Sequence, residues 1–225
     1  MLGLKATLFA VYDRAMSEQP ATGRLGRDVR PPIEGEKALV RAFWSKYTVA
    51  TAKRAPEPLK RSVLASISSE LRSEIRNAPT FDWQDARVFV ALTGAIARLG
   101  DESAIAFWRY SLRQSISQPL IRTLVEGGMS LFGRSPLALY KRTPRAWSLV
   151  SRDCGVIEVD DGGDGRSAIM TLHDVPESCR GHAGLVTMLA GGVRGQGDFC
   201  MVDVRGDVRA PRFSTHGEAE LHISW

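Results

Sequence analysis

The chain has 225 residues, of which 44% are hydrophobic and 24% charged, and its mean hydropathy is −0.14. This composition is typical of a globular protein, and the longest apolar stretches, such as Val88–Leu92, are too short to cross a bilayer. Three cysteines without paired spacing argue against a disulfide framework, and the amino terminus has no secretory pattern. We therefore expect a cytoplasmic protein in a reducing compartment.

Charge is distributed unevenly along the chain. Residues 1–150 carry 23 Lys and Arg against 13 Asp and Glu, whereas residues 151–225 carry 7 against 12. The sequence pI near 9.4 thus describes the first two-thirds of the chain. Such asymmetry indicates either a polyanionic partner or two regions of opposite charge that face each other.

Hydrophobic residues recur at helical spacing as far as residue 154. The predicted helices span 4–17, 36–53, 59–75, a segment containing Phe89 to Leu99, a segment from Asp101, 119–131 and 136–151. A loop rich in Pro, Gly and Arg is predicted at 18–35. Thr80 or Asp82 is predicted to cap the fourth helix, and Gly100 to follow it in a left-handed conformation. The last helix is predicted to be broken or kinked at Pro144.

The pattern changes to strands after Gly155. Strands are predicted at 156–159 and 168–172, joined by the Asp- and Gly-rich turn 160–165. A helix over 177–193, ended by Gly191 and Gly192, precedes a third strand over 199–204, and residues 191–197 form a flexible exit loop. The final segment, 219–225, alternates apolar and polar residues, as expected for a strand with one wet face.

These elements predict an α+β fold in a single domain, 1–225. Its first part, 1–153, forms a helical layer that packs on a small antiparallel sheet. That sheet belongs to the region 154–225, which has β-β-α-β-β order.

Catalytic and metal-binding patterns are weak. The cysteines are far apart, and the one close pair is Cys179 and His182, so buried free thiols are favoured over a zinc site and we expect no metal. No Gly-x-Ser-x-Gly elbow is present. Asp160, Asp161 and Asp164 suit a hairpin turn as well as they suit a cation.

Nucleotide and nucleic-acid signals are also weak. The glycine-rich run 191–197 follows a helix, which is the wrong polarity for a phosphate-binding turn. Two basic clusters, around Lys53–Arg61 and Lys141–Arg145, lack the interleaved aromatic residues that single-strand binders use. We therefore expect solvated helix faces there and regard nucleic acid as an unlikely partner.

The order of several short segments resembles that of a known group. The matching segments are Leu4–Ala10, Ala95–Asp101, Ser135–Leu137 with Arg145–Trp147, Gly155–Val159 and Leu221–Trp225. The group comprises bacterial regulatory proteins, including myxobacterial ones, related to the four-vinyl-reductase domain and to the haem-nitric-oxide-binding domain. Subunits of the vesicle-tethering TRAPP complex share its fold. The resemblance covers most of the chain and leaves 18–35 as an insertion.

The chain departs from the group's ligand chemistry. Haem-binding members use a histidine on a helix and a Tyr-x-Ser-x-Arg motif, but no histidine precedes His173, and the nearest string, Tyr110–Arg113, has the wrong spacing. A cysteine found near the last strand in many members is replaced by the segment His216–Ala219. We therefore expect no haem and no other cofactor.

The resemblance implies a non-enzymatic sensor or scaffold in signalling that binds a small hydrophobic ligand or a protein partner. The alternatives are an enzyme that uses a helix–sheet pocket, and a nucleic-acid binder with a basic surface. Candidate ligand-binding residues are Phe107, Trp108, Arg113, Tyr140 and Trp147, although aromatic residues at helical spacing also suit plain core packing. A homodimer or hetero-complex is predicted through the helical layer, with the interface at Leu4, Leu8, Phe9, Val11 and Tyr12.

Overall fold

A computed structural model describes residues 37–116, 135–180, 183–210 and 212–225. All of them belong to the compact unit that spans Gly35–Trp225. The predicted helices at 4–17 and 119–131, the loop at 18–35 and the interface residues Leu4 to Tyr12 lie outside the described residues. Within the described ranges, no helix combines the length and apolar character that crossing a membrane requires.

The described part of the chain is mixed α+β, which confirms the predicted fold class. The helices are α1 (Ala42–Arg54), α2 (Leu59–Ser66), α3 (Ser69–Asn77), α4 (Ala86–Ala97), α5 (Asp101–Ile116), α6 (Pro136–Tyr140), α7 (Thr143–Val150), α8 (Glu177–Arg180), α9 (Gly184–Cys200) and α10 (Phe213–His216). The strands are β1 (Leu39–Arg41), β2 (Trp83–Asp85), β3 (Ser151–Arg152), β4 (Val156–Asp161), β5 (Ser167–His173), β6 (Arg205–Arg209) and β7 (Ala219–Ser224).

The larger sheet is antiparallel with strand order β4-β5-β7-β6. Its strands and the helices between β5 and β6 follow the predicted β-β-α-β-β order. The alternation predicted for the last strand is confirmed, because Ala219, Leu221 and Ile223 are buried. Trp225 is half-buried, and its ring centroid lies 5.8 Å from that of Tyr140.

A second, smaller sheet was not predicted. Strand β1 pairs with β2 on one side and with β3 on the other, both antiparallel. The helix predicted at 36–53 therefore begins only at Ala42. Three strand residues are too few to interrupt a helical pattern in the sequence, so periodicity could not separate the two.

The glycines near the end of the chain do not end a helix. Helix α9 continues through Gly191 and Gly192 to Cys200, so the predicted exit loop at 191–197 and the predicted strand at 199–204 are wrong. A Cβ atom added at Gly191 would lie 2.4 Å from Cβ of Trp108, and one at Gly195 would lie 3.1 Å from Cβ of Leu112. These glycines allow α9 to pack closely against α5.

Several helix boundaries also differ from the prediction. The helix expected over 59–75 is two helices, because Ile67 is extended and the hydroxyl of Ser68 accepts a hydrogen bond from N–H of Leu71 (3.2 Å) at the start of α3. The helix predicted over 136–151 is broken, as expected near Pro144: α6 ends at Tyr140 and α7 begins at Thr143, with Pro144 in its first turn, where the missing N–H has no cost. The segment 177–193 begins as the short α8 and continues in α9.

The start of α4 and the residue beyond its end are both well defined. Neither Thr80 nor Asp82 caps α4; instead Oδ1 of Asp85 accepts a hydrogen bond from N–H of Arg87 (2.9 Å). Gly100 has a φ of +88°, which confirms its predicted left-handed conformation. Helix α5 begins directly after it, and both helices pack against α9 in the buried core.

Candidate functional site

The aromatic residues predicted to line a pocket lie in the buried core. Phe107, Trp108 and Trp147 have exposed fractions of 0%, 4% and 6%. Two further rings join them into a series: the centroid of Trp44 lies 5.9 Å from that of Trp147 and 4.4 Å from that of Phe89, and Phe89 lies 6.5 Å from Trp108. Phe107 continues the series, 5.3 Å from Trp108. Rings at these separations contact one another and occupy the interior.

Two ring N–H groups in this series have different surroundings. Nε1 of Trp147 donates a hydrogen bond to the carbonyl of Gly155 (2.9 Å). Nε1 of Trp108 is buried and has no acceptor among the residues that the structure describes. A buried donor without a partner costs about 1–3 kcal/mol, so this N–H could donate to a polar group of a bound molecule.

Tyr140 is fully buried on another side of the core. Its hydroxyl donates to the carbonyl of Val193 (3.2 Å), and its ring contacts that of Trp225. Burial raises the pKa of Tyr140 above its usual value. The phenol is therefore a neutral hydrogen-bond donor to α9 and has no acid–base role near neutral pH.

Arg113 lies at the surface, apart from the buried rings. Its side chain is 62% exposed, and its Nε lies 3.8 Å from Oδ2 of Asp198. The stronger partner of that carboxylate is Arg109, which binds both oxygens at 2.8 and 2.5 Å. Arg113 is thus the outer member of a three-residue ionic group that joins α5 to the end of α9.

The structure contains an open cleft that the sequence did not predict. It has a volume of about 510 Å³ and lies where the starts of α5 and α9, strand β6 and helix α10 meet. Its apolar walls come from Ile105, Val186, Val208 and Phe213. These residues belong to four separate elements, so no spacing in the sequence could bring them together.

Strand β6 forms one wall of the cleft because the helices leave part of its inner face uncovered. Gly206 and Val208 pair with the buried Ile223 and Leu221, so they share the helix-facing side of the sheet. Val208 is nevertheless 41% exposed, whereas Leu221 beside it is 0% exposed. The open space begins at Gly206, where the atom nearest to an added Cβ, Cγ1 of Val193, would lie 3.9 Å away.

Arg180 gives the cleft a fixed positive charge. Its Nε donates to the carbonyl of Val175 (2.6 Å) and its Nη1 to that of Thr215 (2.8 Å). Gly217, with a φ of +71°, makes room for this arrangement, since an added Cβ would lie 2.9 Å from Nε of Arg180. No carboxylate in the described ranges forms an ion pair with Arg180. The carboxylates of Asp101 and Asp207 also line the cleft.

The histidines do not form a catalytic group. Nδ1 of His173 lies 2.9 Å from a carboxylate oxygen of Asp174, and its Nε2 lies 3.6 Å from one of Glu158, at the end of β5. Nε2 of His222 lies 3.0 Å from Oε2 of Glu220 on β7. In residues 37–116, 135–180, 183–210 and 212–225, no cluster of three His, Cys, Asp or Glu side chains is arranged to hold a metal ion.

The three cysteines are free and buried. Sγ of Cys154 lies 3.3 Å from the carbonyl oxygen of Leu39 and 3.2 Å from that of Arg152, and its S–H can donate to either. A hydrogen bond with the thiol of Cys179, together with burial, raises the pKa of Cys154. A neutral buried thiol is a weak nucleophile, so Cys154 fills space between the two sheets.

No family model and no curated protein matches the chain, but several solved structures share its fold. A mutant of the Fe(II) unliganded H-NOX protein from K. algicida matches with a TM-score of 0.56 and 11% identity, over 82% of this chain and 95% of that one. A mutant of the T. Tengcongensis H-NOX matches with a TM-score of 0.52 and 12% identity, over 82% and 96%. This is an H-NOX-like fold.

The matched structures include one from work on haem distortion in the H-NOX family, with a TM-score of 0.51. The present chain does not fit a haem held by a histidine on a helix. No histidine occurs before His173, which lies at the end of β5. Among the described residues, His216 is the histidine on a helix, and it is exposed at the end of the short α10. The described core helices instead carry the ring series from Trp147 to Phe107.

Proposed function

We propose that this chain is a non-enzymatic sensor or scaffold domain in signalling, and that it binds a small hydrophobic ligand in the cleft between α5, α9, β6 and α10. The cleft carries the proposal. Its volume of about 510 Å³ lies within the range of small-molecule sites, and it combines apolar walls with a fixed guanidinium. The similarity to H-NOX structures supports a sensor fold.

Binding is favoured over catalysis by the chemistry of the cleft. Arg180 is held by two carbonyls, and no histidine or cysteine lines the cleft to act as a base or nucleophile among the residues that the structure describes. A guanidinium stays charged at all physiological pH values, so it can bind an acid group but cannot transfer protons. An enzyme that uses a helix–sheet pocket is the alternative, and turnover of any ligand found would favour it.

The ligand class follows from the cleft lining. Ile105, Val186 and Phe213 suit a hydrocarbon chain or ring, and Arg180 suits a carboxylate. Asp101 and Asp207 repel a second acid group, so a ligand with a single carboxylate fits better than one with several. We therefore propose a monocarboxylic acid with an apolar body.

Thermal-shift and native mass spectrometry measurements with medium-chain carboxylic acids, and with the matching alcohols, test this function. We expect the acids to bind and to raise Tm. Gly206→Val should abolish binding, because its side chain fills space at the edge of the cleft, where an added Cβ already lies 3.9 Å from Cγ1 of Val193; circular dichroism verifies the fold of the variant. Arg180→Gln should weaken the acids but not the alcohols, and Arg205→Gln, on the exposed part of β6, is the matched control. Binding that survives Gly206→Val would show that the cleft is not the site.

A second site is favoured by one observation: the buried N–H of Trp108 has no acceptor among the described residues. Of the predicted set, Phe107, Trp108 and Trp147 lie in one ring series and remain a proposed ligand-binding site, in which Trp108 would donate to a polar group of the ligand. Tyr140 and Arg113 lie apart from these rings. A ligand at this site should be weakened by Trp108→Phe and be insensitive to Gly206→Val. Arg113→Ala tests the outer part of the predicted set separately from the cleft, because Arg113 lies outside the cleft lining.

We also propose self-association, or binding of a protein partner, through Leu4, Leu8, Phe9, Val11 and Tyr12. The apolar residues of this segment occupy more than one side of a predicted helix. Light scattering at micromolar concentration, with Phe9→Glu as the variant, tests the homodimer; a monomer under every condition would exclude it. We further propose that the chain is related to the four-vinyl-reductase and TRAPP-like proteins. We also propose that it is a bacterial protein located in the cytoplasm.

A further inference from the structure

The outer face of the small sheet carries an unusual group of side chains. Val40 and Ser151 are 2% and 5% exposed, so they lie on the inner face of β1 and β3. Because side chains alternate along a strand, Arg41 and Arg152 lie on the opposite, outer face. Trp83 pairs directly with Arg41 across β1 and β2, and it shares that face. We call Arg41, Trp83 and Arg152 the arginine–tryptophan face.

The two guanidinium groups contact one indole ring. The Cζ atoms of Arg41 and Arg152 lie 3.9 and 4.1 Å from the ring centroid of Trp83. Nη1 of Arg41 also donates to the carbonyl of Phe81 (2.8 Å). Burial and the nearby charge of Arg152 lower the pKa of Arg41, so two like charges are held close together. An anion placed beside them would relieve this repulsion.

The charge of this pair is only partly offset by its neighbours, since the carboxylate of Asp82 raises the pKa of Arg41 less than burial and Arg152 lower it. Lys37 and Arg87 lie nearby, but both bind the carboxylate of Asp85, at 2.9 and 2.7 Å. No carboxylate in the described ranges forms an ion pair with Arg41 or Arg152. Stacking uses the flat faces of a guanidinium and leaves in-plane N–H groups that can bind a carboxylate through two hydrogen bonds.

Two exposed phenyl rings belong to the same region. Phe81 is 54% exposed and Phe43 is 39% exposed. The N–H of Ala42 donates to the carbonyl of Asp82 (3.0 Å), so the segments that carry these rings are joined by their backbones. Large exposed aromatic side chains next to fixed charges are typical of protein interaction sites.

We propose that the arginine–tryptophan face, with Phe43 and Phe81, docks a segment of a protein partner in which carboxylates alternate with apolar side chains. Carboxylates would bind the two guanidiniums, and apolar side chains would contact the phenyl rings. The stacked arginines are already ordered, which lowers the entropic cost of binding. This inference does not depend on a ligand in the cleft.

A nucleic acid fits this surface less well. Nucleic-acid sites follow the phosphate backbone with many Lys and Arg side chains. In the described part of this surface, Arg41 and Arg152 are the arginines without an ion pair, and the carboxylates of Asp82, Asp85 and Asp153 belong to the same segments. The charge of the face thus suits a short acidic peptide better than a polyphosphate chain.

Fluorescence anisotropy with a labelled peptide of alternating Glu and Leu or Phe residues tests the proposal. We expect saturable binding that weakens as salt rises, and no binding of the same peptide with Lys in place of Glu. Arg152→Gln should raise Kd at least tenfold. Arg205→Gln, which removes an exposed arginine from the other sheet, should leave Kd within twofold.

Two further measurements test the stacked geometry of the arginines and distinguish peptide binding from nucleic-acid binding. Arg152→Lys keeps the charge but cannot stack or bind in bidentate fashion, so it should lose most of the affinity; full affinity would overturn the stacked geometry. Equal peptide affinity for the wild-type protein and Arg152→Gln would overturn the docking proposal, as would tighter binding of a labelled oligothymidine that Arg152→Gln abolishes. Circular dichroism of each variant verifies the fold.

Discussion

Two adjacent glycines in α9 permit a stringent test of the packing between α5 and α9. At Gly191 an added Cβ would lie 2.4 Å from Cβ of Trp108 and 2.7 Å from the carbonyl oxygen of Ile105, whereas at Gly192 no atom lies within 4 Å. Both contacts at Gly191 are with backbone or with the root of a side chain, so neither can move away by rotation. The helices themselves must separate to accept Gly191→Ala.

The magnitude follows from comparing the two variants. Replacing Gly by Ala inside a helix stabilises by about 1 kcal/mol, and this gain is common to both positions. Overpacking at Gly191 costs about 1–3 kcal/mol, which Gly192→Ala does not incur. We therefore expect Gly192→Ala to raise the free energy of unfolding by about 0.5–1 kcal/mol and Gly191→Ala to lie about 1–3 kcal/mol below it.

Urea unfolding followed by far-ultraviolet circular dichroism measures both variants. Because the two positions are neighbours in one helix, propensity and solvent effects largely cancel in the difference between their midpoints. If Gly191→Ala were as stabilising as Gly192→Ala, the close approach of α5 and α9 would be wrong.

Three further predictions concern other parts of the fold. Removal of Trp225, which is half-buried against Tyr140, should cost about 1–3 kcal/mol of unfolding free energy, below the value for a fully buried aromatic; an unchanged Tm would contradict the packing of the last strand. Asp85→Asn keeps an acceptor that can cap α4 but loses the ion pairs with Lys37 and Arg87, so it should cost about 0.5–1 kcal/mol at neutral pH. The hydrogen bond with Arg87 lowers the pKa of Asp85 in the folded state, so its stabilisation is present above the unfolded-state pKa and is lost as pH falls through the folded-state pKa. Wild type and Asp85→Asn should therefore converge in acid unfolding curves. Gly155→Ala, at a φ of +96° with a carbonyl 2.8 Å from the added Cβ, should cost about 1–3 kcal/mol in the same urea assay.

The larger sheet could be predicted from the sequence because its signals are local. The alternation over 219–225 determines which side chains are buried, and the Asp- and Gly-rich run between β4 and β5 forms the turn that the hairpin needs. Gly100 likewise lies three residues beyond the end of α4 and directly before α5. In each case a single segment holds the information.

The remainder depends on contacts between distant segments. Gly191 and Gly195 resemble helix breakers until α5 is placed against them, and β1 is a strand only because Trp83 and Ser151 lie on either side. The cleft combines Asp101 with Phe213, more than a hundred positions away. Hydrophobic periodicity describes one segment at a time and does not show which distant segments pack together. These features could therefore be seen only in the structure.

The ring series has a spectroscopic consequence. The chain has five tryptophans, and they occupy three optical environments: Trp44, Trp108 and Trp147 in the contacting series, Trp83 between guanidiniums, and Trp225 at the edge of the larger sheet. Indoles in edge-to-face contact at 5.9 Å couple their transitions, so the half-buried Trp44 and the buried Trp147 should together dominate the near-ultraviolet circular dichroism. A peptide on the arginine–tryptophan face would change the emission of Trp83 and leave that signal intact. The protein thus carries its own separate reporters for its interior and for its docking surface.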